Sequence, residues 1–197
     1  MVTEKTSGMT ILTLIEKRYM RLPLGAVKAK GWLQEMLVRQ KEGATGHMDT
    51  LYPQVMGERN GWLGGDGDQW ECGPYWIDGL LPLAYLLDDN ELKAKVQPWV
   101  EWALDSQRED GNFGPHIDYG PERGIQRDNS LDWWPRMVML KILQQYYSAT
   151  GDQRINEMAG PLLNEHTESR LPYQEVTLVP YGCTVLRVSQ FPVLRCN

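Results

Sequence analysis

Two pairs of helical patterns recur along the sequence at nearly constant spacing. Residues 74–87 are apolar on every face, which indicates a buried helix, and residues 90–106 carry a single apolar stripe, which indicates an outer helix. The same order returns in residues 132–149 and in the helix that follows them, with Pro74 and Pro135 61 residues apart. Because repeated hairpins of one inner and one outer helix build toroids, the chain is predicted to be mainly α, an incomplete α/α toroid.

One helix and a long loop are predicted before the first hairpin. Pro23 suits a first helical turn, and this helix is expected to run to Gln40, with Gly43 ending it. Residues 44–73 show no helical period and predict a loop. Residues 1–20 form an N-terminal extension without a convincing signal peptide, so a cytoplasmic location is expected, with a periplasmic or secreted one left open.

After the helices the pattern changes. Residues 21–163 are assigned to the partial toroid, and residues 164–173, which are polar and unpatterned, to a linker. From Glu175 two short strands flank Pro180-Tyr-Gly182, which predicts a short C-terminal β-hairpin. Since a lone hairpin is marginally stable in water, residues 174–197 are predicted to be the remnant of a larger β domain.

Composition narrows the classes of partner. The formal net charge of −6 argues against nucleic acid or an anionic membrane, and no segment is long and apolar enough to span one. Eight Trp and nine Tyr stand against two Phe, and Trp and Tyr favour half-wet surfaces such as clefts. Cys72, Cys183 and Cys196 lie far apart, so neither a disulfide framework nor a metal site is predicted.

Residues 61–78 give the strongest indication of function, because glycines and carboxylates there alternate with three tryptophans and a tyrosine. Glycines let a backbone approach a ligand closely, while aromatic rings beside carboxylates offer a sugar flat faces to stack on and acceptors for its hydroxyls. The pattern predicts a carbohydrate site. The candidate substrate-binding residues are His47, Asp66, Asp68, Trp70, Glu71, Tyr75 and Trp133.

Each candidate has a structural alternative. Glu71 directly precedes the helix at 74–87, so it is either a hydroxyl acceptor or a carboxylate that favours the helix start through the dipole. His47, predicted in a loop, is either a sugar ligand or a surface histidine. One of Trp133 and Trp134 is expected to line the cleft and the other to lie in the core.

Several segments resemble one family when they are taken in order. They are Gly64-Gly-Asp-Gly-Asp-Gln-Trp-Glu-Cys-Gly-Pro-Tyr-Trp-Ile-Asp-Gly-Leu-Leu-Pro-Leu-Ala-Tyr-Leu-Leu-Asp88, Ser106-Gln-Arg-Glu-Asp-Gly-Asn-Phe-Gly-Pro115 and Asp132-Trp-Trp-Pro-Arg-Met-Val-Met-Leu-Lys141, with Leu22 to Trp32, Thr45 to Asp49 and Val179 to Arg187. Together they resemble the β-L-arabinofuranosidase-like proteins of glycoside hydrolase family 127. The likeness covers residues 21–160 and 174–193.

That resemblance implies an α/α toroid followed by β-sandwich domains. It also implies removal of terminal L-arabinofuranose with retention, by a cysteine nucleophile near a zinc ion that further cysteines and a glutamate hold. The corresponding region falls between the two matched parts, and neither Cys72 nor Cys183 stands at the nucleophile position. The catalytic residues are therefore unknown, and no cofactor is expected in this chain, although zinc is expected in full-length members.

The sequence thus predicts a glycoside hydrolase-like protein that acts on or binds terminal L-arabinofuranose or related plant-glycan sugars and is inactive alone. Carbohydrate is the expected partner, together with self-association through exposed inner helices. One alternative is a non-catalytic carbohydrate-binding or vestigial fragment. Another is a terpene-cyclase-like toroid, because residues 107–113 resemble the turns that stabilise such toroids. However, Asp88-Asp89 lies in a helix connector and is a poor match to the initiating Asp-x-Asp-Asp motif of that class.

Overall fold

A computed structural model describes residues 19, 21–115, 133–165, 173–179 and 183–188, with side-chain environments as far as residue 159. The predicted mainly α character is confirmed. The helices are α1 (Trp32–Glu42), α2 (Ala44–Leu51), α3 (Cys72–Leu87), α4 (Asn90–Asp105), α5 (Trp133–Thr150) and α6 (Arg154–Glu165), with a 3₁₀ turn at Gly61–Leu63. Strands β1 (Tyr173–Val179) and β2 (Cys183–Val188) follow.

The two helices predicted to be inner ones, α3 and α5, pack against each other. Lys141 Nζ lies 2.7 Å from Asp78 Oδ2, and the rings of Tyr85 and Tyr146 meet edge to face at 6.5 Å. Both contacts join residues about one sequence repeat apart, so the two helices run in the same direction. Closure into a toroid stays a prediction.

The core lies between α3, α4 and α5. Half of the residues of α3 are buried. On α4 the buried residues are mostly three or four positions apart and so share one face of the helix. Trp76 and Trp99 meet edge to face at 5.9 Å, joining the two helices of the first hairpin. On α5 the buried apolar residues include Met139, Leu140, Ile142, Leu143 and Tyr146. Much of each inner helix is therefore covered among the described residues, and self-association through exposed inner helices stays a prediction.

The predicted start of the first helix is wrong. Residues 21–31 form turns and extended backbone, and α1 begins only at Trp32. Gly25 has φ +86° and Gly31 has φ +59°. A right-handed helix cannot pass through these left-handed positions, so Pro23 lies in a turn ahead of the helix.

The loop predicted for residues 44–73 begins with a helix, which corrects that prediction too. α2 occupies Ala44–Leu51 after an extended Gly43. Tertiary contacts hold this short helix: Trp76 Nε1 donates to the Thr45 carbonyl at 2.8 Å, and Lys95 Nζ lies 2.9 Å from Asp49 Oδ2. Isolated helices of this length are unstable in water. The helix therefore depends on these tertiary contacts, which the local sequence pattern does not contain.

The C-terminal strands pair antiparallel, with Tyr173 opposite Val188 and Val179 opposite Cys183, and with an irregularity between Gln174 and Val176. Residues 180–182, where the turn of the predicted hairpin falls, lie outside the described residues. Most of the predicted linker and of the N-terminal extension also lie outside them. The hairpin and the domain boundaries therefore stay predictions.

Candidate functional site

The glycine-rich loop before α3 folds back on itself around Asn60, a fully buried residue. Asn60 Nδ2 donates to the Val55 carbonyl at 2.5 Å, and Asn60 Oδ1 accepts the Trp62 N–H at 2.7 Å. The Gly61 N–H donates to the Asp68 carbonyl at 2.8 Å, which closes the loop at its far end. The segment is a hydrogen-bonded unit, and this rigidity holds Asp68 and Trp70 in place beside the start of α3.

Glycines of this region serve close internal packing. Trp62 is fully buried, its ring meets Phe113 edge to face at 5.9 Å, and its Nε1 donates to the Gln69 carbonyl at 3.1 Å. A Cβ at Gly114 would lie 2.6 Å from Trp62 Cη2, and one at Gly73 would lie 2.7 Å from Asn60 Nδ2. Trp62 is thus a core residue, and these glycines make room for neighbouring side chains.

Asp66 is turned toward Arg59. Arg59 Nε lies 2.8 Å from Asp66 Oδ1, and Arg59 Nη2 lies 2.9 Å from Asp66 Oδ2, a two-point contact on an exposed surface. Because Arg59 engages both carboxylate oxygens, Asp66 is a weaker candidate for a sugar acceptor than the sequence predicts.

Asp68, Glu71 and Cys72 form the electrostatic centre of the candidate site. Burial raises the pKa of Asp68, and the charge of Glu71 raises it further, although a backbone hydrogen bond at Trp70 opposes both. Cys72 is exposed as a residue, but the partial burial of its thiol raises the pKa of that group, with Asp68 and Glu71 adding to the effect. Within the part of the chain that the structure describes, Asp68 Oδ2 is buried and accepts no hydrogen bond. That oxygen is an acceptor without a donor.

Glu71 occupies the N-cap position of α3, yet its side chain accepts no capping hydrogen bond there. The backbone carbonyl of Glu71 accepts the Tyr75 N–H at 2.8 Å. The alternative for Glu71, a carboxylate that favours the helix start through the dipole, does not need such a hydrogen bond and stays open. The carboxylate remains half-buried beside Asp68.

Aromatic side chains surround this end of the helices. Trp70 is half-buried, and Tyr75 on the first turn of α3 is 47% exposed. Since α3 and α5 run in the same direction, the first turn of α5 lies at the same end. Of its two tryptophans, Trp134 is 48% exposed, whereas Trp133 packs against the core with Arg136 6.0 Å from its ring. Of the pair considered from the sequence, Trp134 is the more exposed ring, and the role of Trp133 in a sugar site stays a prediction.

His47 lies on α2 and not in a loop. Its side chain is exposed, and Nδ1 lies 3.0 Å from the Gly43 carbonyl one helical turn earlier. This contact fits the surface alternative. The structure brings together Asp68, Trp70, Glu71 and Tyr75, and it separates Asp66 and His47 from them by their own contacts.

A groove of about 520 Å³ lies on the outer side of the first hairpin, between α2 and α4. Its lining includes Trp76, Trp99 and Trp102 together with the ion pair of Asp49 and Lys95. No predicted site residue lines this groove. Its residues come from α2, the loop after it, the 3₁₀ turn, α3 and α4, so no local motif marked it.

Asp88, Asp89 and Gln107, which were considered for the terpene-cyclase alternative, make contacts that stabilise the fold. Asp89 Oδ1 accepts the Leu92 N–H at 3.0 Å as the N-cap of α4, and Asp88 pairs with Lys93. Gln107 Nε2 donates to the Met158 carbonyl at 2.8 Å, which ties the loop after α4 to α6.

The described residues contain no cluster of side chains that could hold a metal ion. No three His, Cys, Asp or Glu side chains converge among them. No helix among the described residues is both long and apolar enough to cross a bilayer.

Comparison with known proteins gives no relative. No family model matches the chain, and no curated protein or solved structure is significantly similar to it.

Proposed function

We propose that this chain is a carbohydrate-binding module of the β-L-arabinofuranosidase type, in which an incomplete α/α toroid binds terminal L-arabinofuranose or a related plant-glycan sugar. The binding site lies at the N-terminal ends of α3 and α5. It comprises Asp68, Trp70, Glu71 and Tyr75, with Trp134 on the neighbouring helix. The proposal rests on the sequence resemblance and on the geometry of this end of the helices.

The unpartnered oxygen of Asp68 is the observation that carries the proposal. A buried acceptor without a donor is costly to the folded protein. Because this oxygen has almost no accessible surface, a sugar hydroxyl supplies the donor only when the Asp68 side chain turns outward on binding. Glu71 lies next to it and is likewise free of a capping bond. The exposed ring of Tyr75 adds an apolar face for the C–H side of a sugar.

Hydrolysis by this chain alone is not expected. Only the thiolate form of cysteine is an effective nucleophile, and burial with two neighbouring carboxylates raises the pKa of Cys72. Cys72 is therefore mostly protonated at neutral pH and is poorly suited to attack a sugar. The proposed role is binding.

A titration with methyl β-L-arabinofuranoside tests the proposal. We expect saturable changes in tryptophan fluorescence. Glu71→Gln or Tyr75→Ala should each weaken the affinity about five-fold, because each removes one contact worth roughly 1 kcal/mol. Tyr52→Ala is the matched control, since Tyr52 is 59% exposed at the end of α2, outside the site. No binding by the folded wild-type protein would refute the proposal and favour a vestigial fragment.

An activity assay addresses catalysis separately. We expect no turnover of aryl α- or β-L-arabinofuranosides. Turnover that survives Cys72→Ala and is lost in Glu71→Gln would contradict this expectation and indicate a carboxylate mechanism.

A further inference from the structure

The outer face of α1 is apolar and uncovered. No side chain of α1 is buried, and Trp32, Leu33 and Met36 are 71%, 45% and 49% exposed. Trp32 and Met36 are four residues apart, so they lie above one another on one face, and Leu33 borders them. Contiguous apolar patches of this kind mark interaction surfaces in soluble proteins.

The side of α1 that borders this apolar face is attached to the rest of the molecule. Leu37 packs against the core cluster, and Lys41 Nζ lies 2.5 Å from Asp89 Oδ2. The helix is therefore held in place with its apolar face directed away from the core. An anchored helix of this kind presents a preformed surface, which lowers the entropic cost of binding.

Charges along one edge of the apolar stripe are self-complementary. Glu35 lies in the first turn of α1 and Arg39 in the last, and both are exposed. Although they are four residues apart, neither forms an ion pair with any residue in the described part of the chain. In an antiparallel pair of α1 helices, Glu35 of each copy would face Arg39 of the other.

We propose that α1 is a dimerisation face whose occupant is the α1 helix of a second copy of this chain. The two helices pack antiparallel about a two-fold axis, which is the usual symmetry of homodimers. In this register Met36 of both copies lies at the centre, and Trp32 and Leu33 of each copy extend the apolar contact toward its two ends. Glu35 and Arg39 form two equivalent ion pairs at its edge and fix the antiparallel direction.

Charge reversal provides the first test, by sedimentation velocity over a range of protein concentrations at low salt. The wild type should show a monomer–dimer equilibrium. Glu35→Arg or Arg39→Glu should each weaken the dimer about ten-fold, since each replaces two attractive contacts by two repulsive ones. The double variant should regain an affinity within about three-fold of the wild type. Both positions are exposed, and far-UV circular dichroism checks the fold of each variant.

Apolar substitution provides the second test. Trp32→Glu with Met36→Glu should give a monomer at every concentration. Leu51→Glu, at a residue 58% exposed on α2, is the matched control and should leave the dimer unchanged. A monomeric wild type would overturn the proposal, as would a dimer that the double charge reversal does not restore. Polydisperse association that responds equally to the Leu51 control would overturn it as well.

Discussion

Alanine at Gly114 should destabilise the protein strongly, because two separate costs act at that position. Gly114 has φ +85°, and a Cβ there would lie 2.6 Å from Cη2 of the fully buried Trp62. A side chain in the left-handed region costs about 1–2 kcal/mol, and overpacking a core costs about 1–3 kcal/mol. Together they predict a loss of about 2–5 kcal/mol, against a typical total stability of about 5–15 kcal/mol.

Urea unfolding at one fixed protein concentration, followed by far-UV circular dichroism, measures this loss. Gly151→Ala is the matched control: its φ is +72°, but no heavy atom lies within 4 Å of its Cβ position, so only the backbone cost of about 1–2 kcal/mol applies. Gly79→Ala, in the open middle of α3, should instead stabilise by up to about 1 kcal/mol. If Gly114→Ala costs no more than Gly151→Ala, the close packing inferred around Trp62 is incorrect.

Three further predictions concern buried polar groups and an ion pair. The raised pKa of Asp68 means that the folded state loses stability as the pH rises above the ordinary value of 3.8. Asp68→Asn should therefore gain stability relative to the wild type as the pH rises from that value, and a pH-independent difference would contradict this. Asn60→Ala should cost about 1–3 kcal/mol in urea unfolding, because it leaves the buried Trp62 N–H without its acceptor, and a neutral effect would refute that role. A hydrogen bond from Arg154 lowers the pKa of Glu101, so the ion pair stabilises the fold at neutral pH and this stabilisation is lost on acidification. Glu101→Gln should therefore cost at most about 1 kcal/mol at pH 7 and nothing near pH 2. An equal cost at both pH values would contradict the ion pair.

Periodicity determined the helices of the core. The predicted helices 74–87 and 90–106 match α3 and α4 within two residues at each end, and the start of α5 at Trp133 was also predicted. These segments must bury apolar residues on one or more faces, and that requirement is written into the spacing of the residues. Pattern alone therefore gave the fold class and the principal helices.

Tertiary contacts decided what the pattern left open. α2 forms because Trp76 and Lys95, both distant in sequence, hold its backbone and Asp49. Trp133 and Trp134 are identical in type and adjacent, so only their packing settles which ring is covered.

Tertiary structure also decided which carboxylate of the candidate site has a partner. Asp66 and Asp68 are two residues apart in the same glycine-rich sequence, yet Arg59 engages the first and burial isolates an oxygen of the second. Residue type and spacing identified both carboxylates as candidates. Which of them keeps an acceptor for a ligand depends on the path of the folded loop, because burial and hydrogen-bond partners are properties of the assembled chain.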